Sequence, residues 1–195
     1  SVTGRLYVTG VQGHAAYPHL ADNPIPKMID LLAALKAVRF DEGSEFFQPT
    51  NLEIVSVDTG NKADNVIPGR VEALFNVRFN DLHDSANIQH LISQALGRMG
   101  HDYKIDFYPS GESFLTAPGT LPGLVQNAVE SVTGRKPALT TTGGTSDARF
   151  ISRYCPVVEF GGIGASMHKV DEHISTDDLN ALCDIYRKIL NKIFA

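Results

Sequence analysis

The sequence has no tryptophan, and its only cysteines are Cys155 and Cys183. Two cysteines so far apart, each inside an apolar pattern, point to neither a disulfide framework nor a cysteine metal site, and a reducing cytoplasm is the expected compartment. No apolar run approaches the length of a membrane span. Residues 1–8 show no basic segment followed by an apolar stretch, so neither membrane insertion nor a secretion signal is expected. Positive charge is in deficit: 17 Lys and Arg stand against 22 Asp and Glu, giving a net charge of −5 and a pI near 5.8. That balance argues against nucleic acid or an anionic membrane as the main partner, since both require a basic face, although local basic pockets remain compatible with it. Internal repeats and low-complexity stretches are lacking too. What is present is enough apolar residue, 43% of 195, to bury a core in one large or two small domains. The chain starts without methionine and runs at once into a strand-like alternation at Leu6–Val11, as expected for part of a longer protein.

The order of elements is legible from periodicity. Residues 23–38 carry Ile25, Met28, Ile29, Leu32 and Leu35 at helical spacing, with Asn23 or Asp22 as cap and prolines in the first turn. Residues 50–58 and 70–80 alternate as strands, the second through Val71, Ala73, Phe75, Val77 and Phe79. Ile88, Leu91, Ile92, Ala95, Leu96 and Met99 then repeat as a helix after Asp84 and Ser85, stopping at Gly100, and residues 103–108 read as a further strand. The sum is β-α-β-β-α-β, the ferredoxin-like pattern. Beyond the turn at Pro109–Ser113 the character changes to alternating α and β: a helix over 121–132, a strand over 138–142, a short helix from Ser146, a short buried strand over 156–160 and a final helix from about Thr176. That last helix shows Leu179, Leu182, Cys183, Tyr186, Ile189, Leu190 and Ile193 on one stripe, and is capped by Ser175 or Thr176. A domain boundary is expected near residue 112, dividing the chain into 1–112 and 113–195.

The densest chemical signal is the run Thr140-Thr-Thr-Gly-Gly-Thr-Ser-Asp-Ala-Arg-Phe150, followed downstream by Met167-His168. A Gly-Gly pair after a β-branched run lets main-chain N–H groups approach a ligand, and the following helix would aim its positive end at an anion. His168 offers a nitrogen to a metal, or a base.

Gly10-Val-Gln-Gly-His14-Ala-Ala-Tyr17, Asn65-Val-Ile-Pro-Gly69, Phe75-Asn-Val-Arg78-Phe, Thr141-Thr-Gly-Gly-Thr-Ser-Asp147 and Met167-His168 together resemble the bacterial succinyl-diaminopimelate desuccinylases, within the aminoacylase and carboxypeptidase-G group of dinuclear zinc metallopeptidases. The likeness runs almost end to end. It implies an α/β protein in which residues 1–112 form a ferredoxin-like lid and dimerisation domain, and 113–195 form the closing part of an incomplete α/β zinc-peptidase-like catalytic domain. It further implies that His14 reaches across a homodimer to polarise the scissile carbonyl, and that Arg78 grips a substrate carboxylate through its forked guanidinium. Asn65, Gly144 and Thr145 would contact substrate, Tyr17 and Ser1 are weaker candidates for that role, and His168 would ligate zinc. The cofactor implied is two zinc ions per subunit, with cobalt an alternative for one. The reaction implied is hydrolysis of the succinyl amide of N-succinyl-LL-2,6-diaminopimelate, a small acidic substrate, in lysine and diaminopimelate biosynthesis.

The family's zinc site also needs a His-x-Asp pair, a bridging Asp and a Glu-Glu pair, all from a segment before the lid. None of the seven histidines begins a His-x-Asp, and no Glu-Glu occurs. A single ligand cannot hold two metals and a bridging water, so this chain alone is expected to be an inactive truncation. Three alternatives stay open: a deacylase acting on another N-acyl amino acid such as acetylornithine, a non-catalytic dimerisation and substrate-clamp module, and a serine hydrolase using Ser146 and His168.

Overall fold

The computed structural model describes residues 1–141 and 146–195 and divides into two compact units, Ser1–Ser113 and Phe114–Ala195. In the first unit the elements are β1 (Val2–Thr9), β2 (Gly13–His14), α1 (Pro24–Lys36), β3 (Asn51–Asp58), β4 (Val66–Ile67), β5 (Arg70–Arg78), α2 (Ser85–Gly97) and β6 (Lys104–Pro109). The four long strands form one sheet in the order β3-β5-β1-β6, with every neighbouring pair antiparallel. Counting long strands alone, this is 2-3-1-4, the ferredoxin-like arrangement expected from the element order.

Strand alternation decides which face is apolar. Val2, Leu6 and Val8 of β1 and Val71, Ala73, Phe75 and Val77 of β5 point to one side and are buried. Met28, Leu31 and Leu35 of α1 and Ile88, Ile92 and Leu96 of α2 cover them, completing one core. Gly4 lies directly opposite Phe75 in the ladder, and a Cβ there would sit 2.1 Å from the ring, so glycine is what allows Phe75 to lie across β1. The opposite face is charged: Glu72 bridges Arg5 at 3.3 Å and Arg70 at 2.9 Å, and the Tyr7 ring lies under Arg70 and Lys104.

Asn23 caps α1 by accepting from the Ile25 N–H, and Asp84 caps α2 by accepting from the Asn87 N–H. The phase of α1 departs from expectation. Ile29 is 59% exposed and Leu31 takes the inward position, because the helix rests on β1, β5 and α2 along the line Met28, Leu31, Leu35. In β3 the register shifts between Ile54 and Ser56; Leu52 and Ile54 are half-buried, and Val55 and Val57 are exposed.

In the second unit α3 (Thr120–Thr133), α4 (Ala148–Ile151) and α5 (Thr176–Phe194) are the regular elements among the described residues. Helix α3 ends at Gly134, and α5 starts at Ser175, whose hydroxyl accepts from the Asp178 N–H and donates to its carboxylate. Val125, Ala128 and Val129 of α3 pack on Ile185 and Ile189 of α5.

Two expectations for this unit are corrected. Residues 138–141 form no ladder, and the remainder of that expected strand lies outside the described residues. Residues 156–160 form no strand either; Val157 instead shares hydrogen bonds with the Thr116 hydroxyl, and the Phe160 carbonyl accepts from the Tyr186 hydroxyl. Of the stripe foreseen on α5 only Ile189 is buried, joined by Ile185, whereas Leu179, Tyr186, Leu190 and Ile193 stay largely exposed. Cys155 and Cys183 are both free and exposed.

Candidate functional site

The candidate residues of the first unit fall into two groups at opposite ends of its sheet. The first group gathers around a small ribbon in which Gly13 pairs with Ile67 and His14 with Val66. The Ala15 N–H donates to the Asn65 carbonyl at 2.9 Å, so His14 and Asn65, distant in sequence, are held side by side. A turn closed by Tyr17 N–H on the His14 carbonyl brings the Tyr17 ring to 5.7 Å from the imidazole, and His19 stands edge-on to Tyr17 at 6.4 Å. Gly13 is needed here, since a Cβ would lie 2.7 Å from the Cβ of Ala21. The Ala16 N–H donates to Nδ1 of His14 at 3.0 Å, and the side chain is exposed.

The second group is at the far end of the same ladder. Val2 pairs with Val77, which places Ser1 and Arg78 together where β1 begins and β5 ends. The main-chain nitrogen of Ser1 donates to Gly111 at 2.8 Å, and its hydroxyl lies 2.7 Å from that of Ser110. Eight residues of β1 separate this end from the other, on the order of 25 Å at the usual rise per residue.

Behind Arg78 is a buried polar cluster that the sequence did not flag. Asn80, 2% exposed, donates through its amide to Asp41 Oδ1 at 2.7 Å and to the Gln48 carbonyl at 3.1 Å. Asp41 Oδ1 also accepts from the Gly43 and Thr50 N–H groups, and Asp41 Oδ2 lies 3.1 Å from Nε2 of His83. Asp41 and Asn80 lie 39 residues apart in sequence, so no local pattern announces their pairing. Burial disfavours the Asp41 charge, but hydrogen bonds from Thr50, Gly43 and Asn80 outweigh it and hold the carboxyl below its ordinary range. A depressed folded-state value means that this stability is present above the unfolded carboxylate range and is lost as pH falls through the folded value. Urea unfolding at neutral pH should therefore show Asp41→Ala destabilised by about 3 kcal/mol, through donors left buried without an acceptor. Acidification to about pH 3 should narrow the gap between wild type and variant, in keeping with a carboxyl reference near 4.

In the second unit His168 occupies an exposed turn with φ of 59°, its N–H donating to Glu172 at 3.3 Å. The turn is closed by Ser166, whose hydroxyl donates to the His173 carbonyl and accepts from the His173 N–H. Gly144 and Thr145 lie outside the described residues. The Ser146 hydroxyl donates to Glu159 and accepts from the Ala148 N–H, so its proton is directed at a carboxylate and not at His168, contrary to a serine nucleophile with a histidine base. Among the described residues no three His, Cys, Asp or Glu side chains come together as a metal-holding group. One histidine does not fit a pair of zinc ions, which need several ligands each. No helix among the described residues is long and apolar enough to cross a membrane.

The antiparallel sheet covered on one face by α1 and α2 defines a ferredoxin-like module, followed in the chain by a helical unit. Residues 1–104 match the peptidase dimerisation domain, and the chain belongs to that family. Curated relatives named succinyl-diaminopimelate desuccinylase align along the whole chain: 53% identity for the protein of Xanthobacter autotrophicus, of which the chain covers 52%, and 51% for that of Rhodospirillum centenum, of which it covers 50%. The chain thus spans about half the length of the curated relatives it matches. Among solved structures, an M20 family metallo-carboxypeptidase from Sulfolobus solfataricus superposes with a TM-score of 0.79 at 14% identity, over 97% of this chain and 57% of that one. An aminopeptidase from Bacillus cereus does so with 0.73 at 17%, over 100% and 52%. These two likenesses concern the fold alone.

Proposed function

We propose that the whole protein to which this chain belongs hydrolyses the succinyl amide of N-succinyl-LL-2,6-diaminopimelate as a metal-dependent homodimer in the cytoplasm. The observation that carries this reading is identity of 50% or more to desuccinylases along the entire chain. In it, Arg78 and Ser1 bind substrate carboxylate from the same subunit, His14 with Tyr17 and Asn65 serves the partner's substrate, and Gly144 and Thr145 complete the pocket. His168 supplies one ligand to a zinc pair, one member of which cobalt could replace. The wide separation of His14 from Arg78 along one sheet supports the division, since a single small substrate cannot touch both ends of one lid. The exposed apolar stripe on α5 supports the view that residues 113–195 are part of a larger catalytic domain. Turnover of succinyl-diaminopimelate, set beside acetylornithine, by the full-length protein tests the assignment; preference for acetylornithine would replace it.

The same reading predicts pairing through the first unit. β3 is an edge strand on which Val55 and Val57 are 57% and 54% exposed, and such edges invite pairing. Sedimentation should find the 195-residue chain as a two-fold dimer and Val55→Asp/Val57→Asp as a monomer. A wild-type monomer at high micromolar concentration would remove residues 1–112 as the dimer contact.

A further inference from the structure

We infer that the main-chain N–H of Ala16 holds His14 in the neutral tautomer that carries its proton on Nε2, presetting an outward N–H donor; the catalytic meaning of that donor rests on the shared-site reading above. An amide N–H can only donate, so the nitrogen it meets at 3.0 Å, Nδ1, must present its lone pair. In a neutral imidazole the proton then resides on Nε2, which has no hydrogen-bond partner among the described residues and belongs to an exposed side chain. The backbone around the ring is fixed on both sides, by Ala15 N–H on the Asn65 carbonyl and by Tyr17 N–H on the His14 carbonyl, both at 2.9 Å. Tyr17 flanks the ring, with its centroid 5.7 Å away.

An unconstrained imidazole exchanges its proton between the two nitrogens and turns about χ1 and χ2. The turn removes both freedoms before substrate arrives, which is the condition for an oxyanion donor to act without reorganising. Ala16 is in this sense a positioning residue, and its side chain plays no part. Any residue but proline supplies the same N–H, so the device leaves no side-chain signature in the sequence.

The test is direct. In the 195-residue chain labelled with nitrogen-15, long-range proton–nitrogen correlation at a pH where His14 is neutral should show Nδ1 as a pyridine-type and Nε2 as a pyrrole-type nitrogen, with His14 assigned by the signals lost in His14→Gln. A through-hydrogen-bond coupling should join the Ala16 amide nitrogen to Nδ1. The reverse tautomer, an averaged pattern or absence of that coupling overturns the inference. In the full-length protein, His14→Gln places an amide nitrogen near the Nε2 position and His14→Asn places one near Nδ1. The Gln variant should retain at least about tenfold more kcat than the Asn variant, with KM little changed. Equal loss in both variants overturns Nε2 as the donor. A full-length wild type inactive on succinyl-diaminopimelate defeats the proposed function instead, and leaves the spectroscopic result to stand or fall by itself.

Discussion

Co-refolding full-length His14→Ala with full-length His168→Ala should restore activity that neither homodimer has. If His14 completes the partner's site, the first variant lacks the carbonyl donor in both sites and the second lacks a metal ligand in both. A mixed dimer has one competent site: the His14→Ala subunit keeps its metal ligands and receives His14 from its partner. Random exchange makes half the dimers mixed, so about a quarter of wild-type activity should return. Because each parent should have lost on the order of a hundredfold or more, the recovery is large against its background. A mixture in which subunits do not exchange should stay inactive. Exchanged heterodimers no more active than their parents would mean that His14 acts within its own subunit or not at all, and the separation of His14 from Arg78 along the sheet would then have no catalytic meaning.

The second large effect concerns the 195-residue chain by itself. His168 is the sole candidate ligand that the resemblance assigns to it, and no group of three metal-binding side chains forms among the described residues. Dialysed protein should therefore hold no pair of zinc ions, and its turnover of succinyl-diaminopimelate should lie more than about ten-thousandfold below that of the full-length protein, since a general base and a metal-activated water are each worth several orders of magnitude. Two tightly bound zinc ions per chain, or turnover above that bound, would show that the ligands come from within these residues.

Much of the first unit was legible because its signals are local. Alternation in residues 70–80 places Val71, Ala73, Phe75 and Val77 on one face whatever strand lies beside them, and Asn23 and Asp84 cap helices through N–H groups two or three residues away. The second unit was read less well for a physical reason. A run such as residues 156–160 is apolar enough for a strand, but a strand exists only when another pairs with it, and here side-chain hydroxyls take that place. The α5 stripe shows the same limit: helical spacing defines an apolar face, whereas burial requires a neighbour, and α3 covers only the line through Ile185 and Ile189.

The sequence by itself determined the element order, the caps, the apolar face of the central strands and the residues that carry the family likeness, because each depends on groups within a few positions of one another. Only the tertiary structure decided the strand order β3-β5-β1-β6, the inward turn of Leu31 in place of Ile29, the burial of Asp41 beside Asn80 and His83, and the separation of His14 from Arg78 to opposite ends of one sheet. Those outcomes come from ladder register and packing between segments tens of residues apart, where the free energy of a contact depends on which partner arrives and not on the residue's own neighbours.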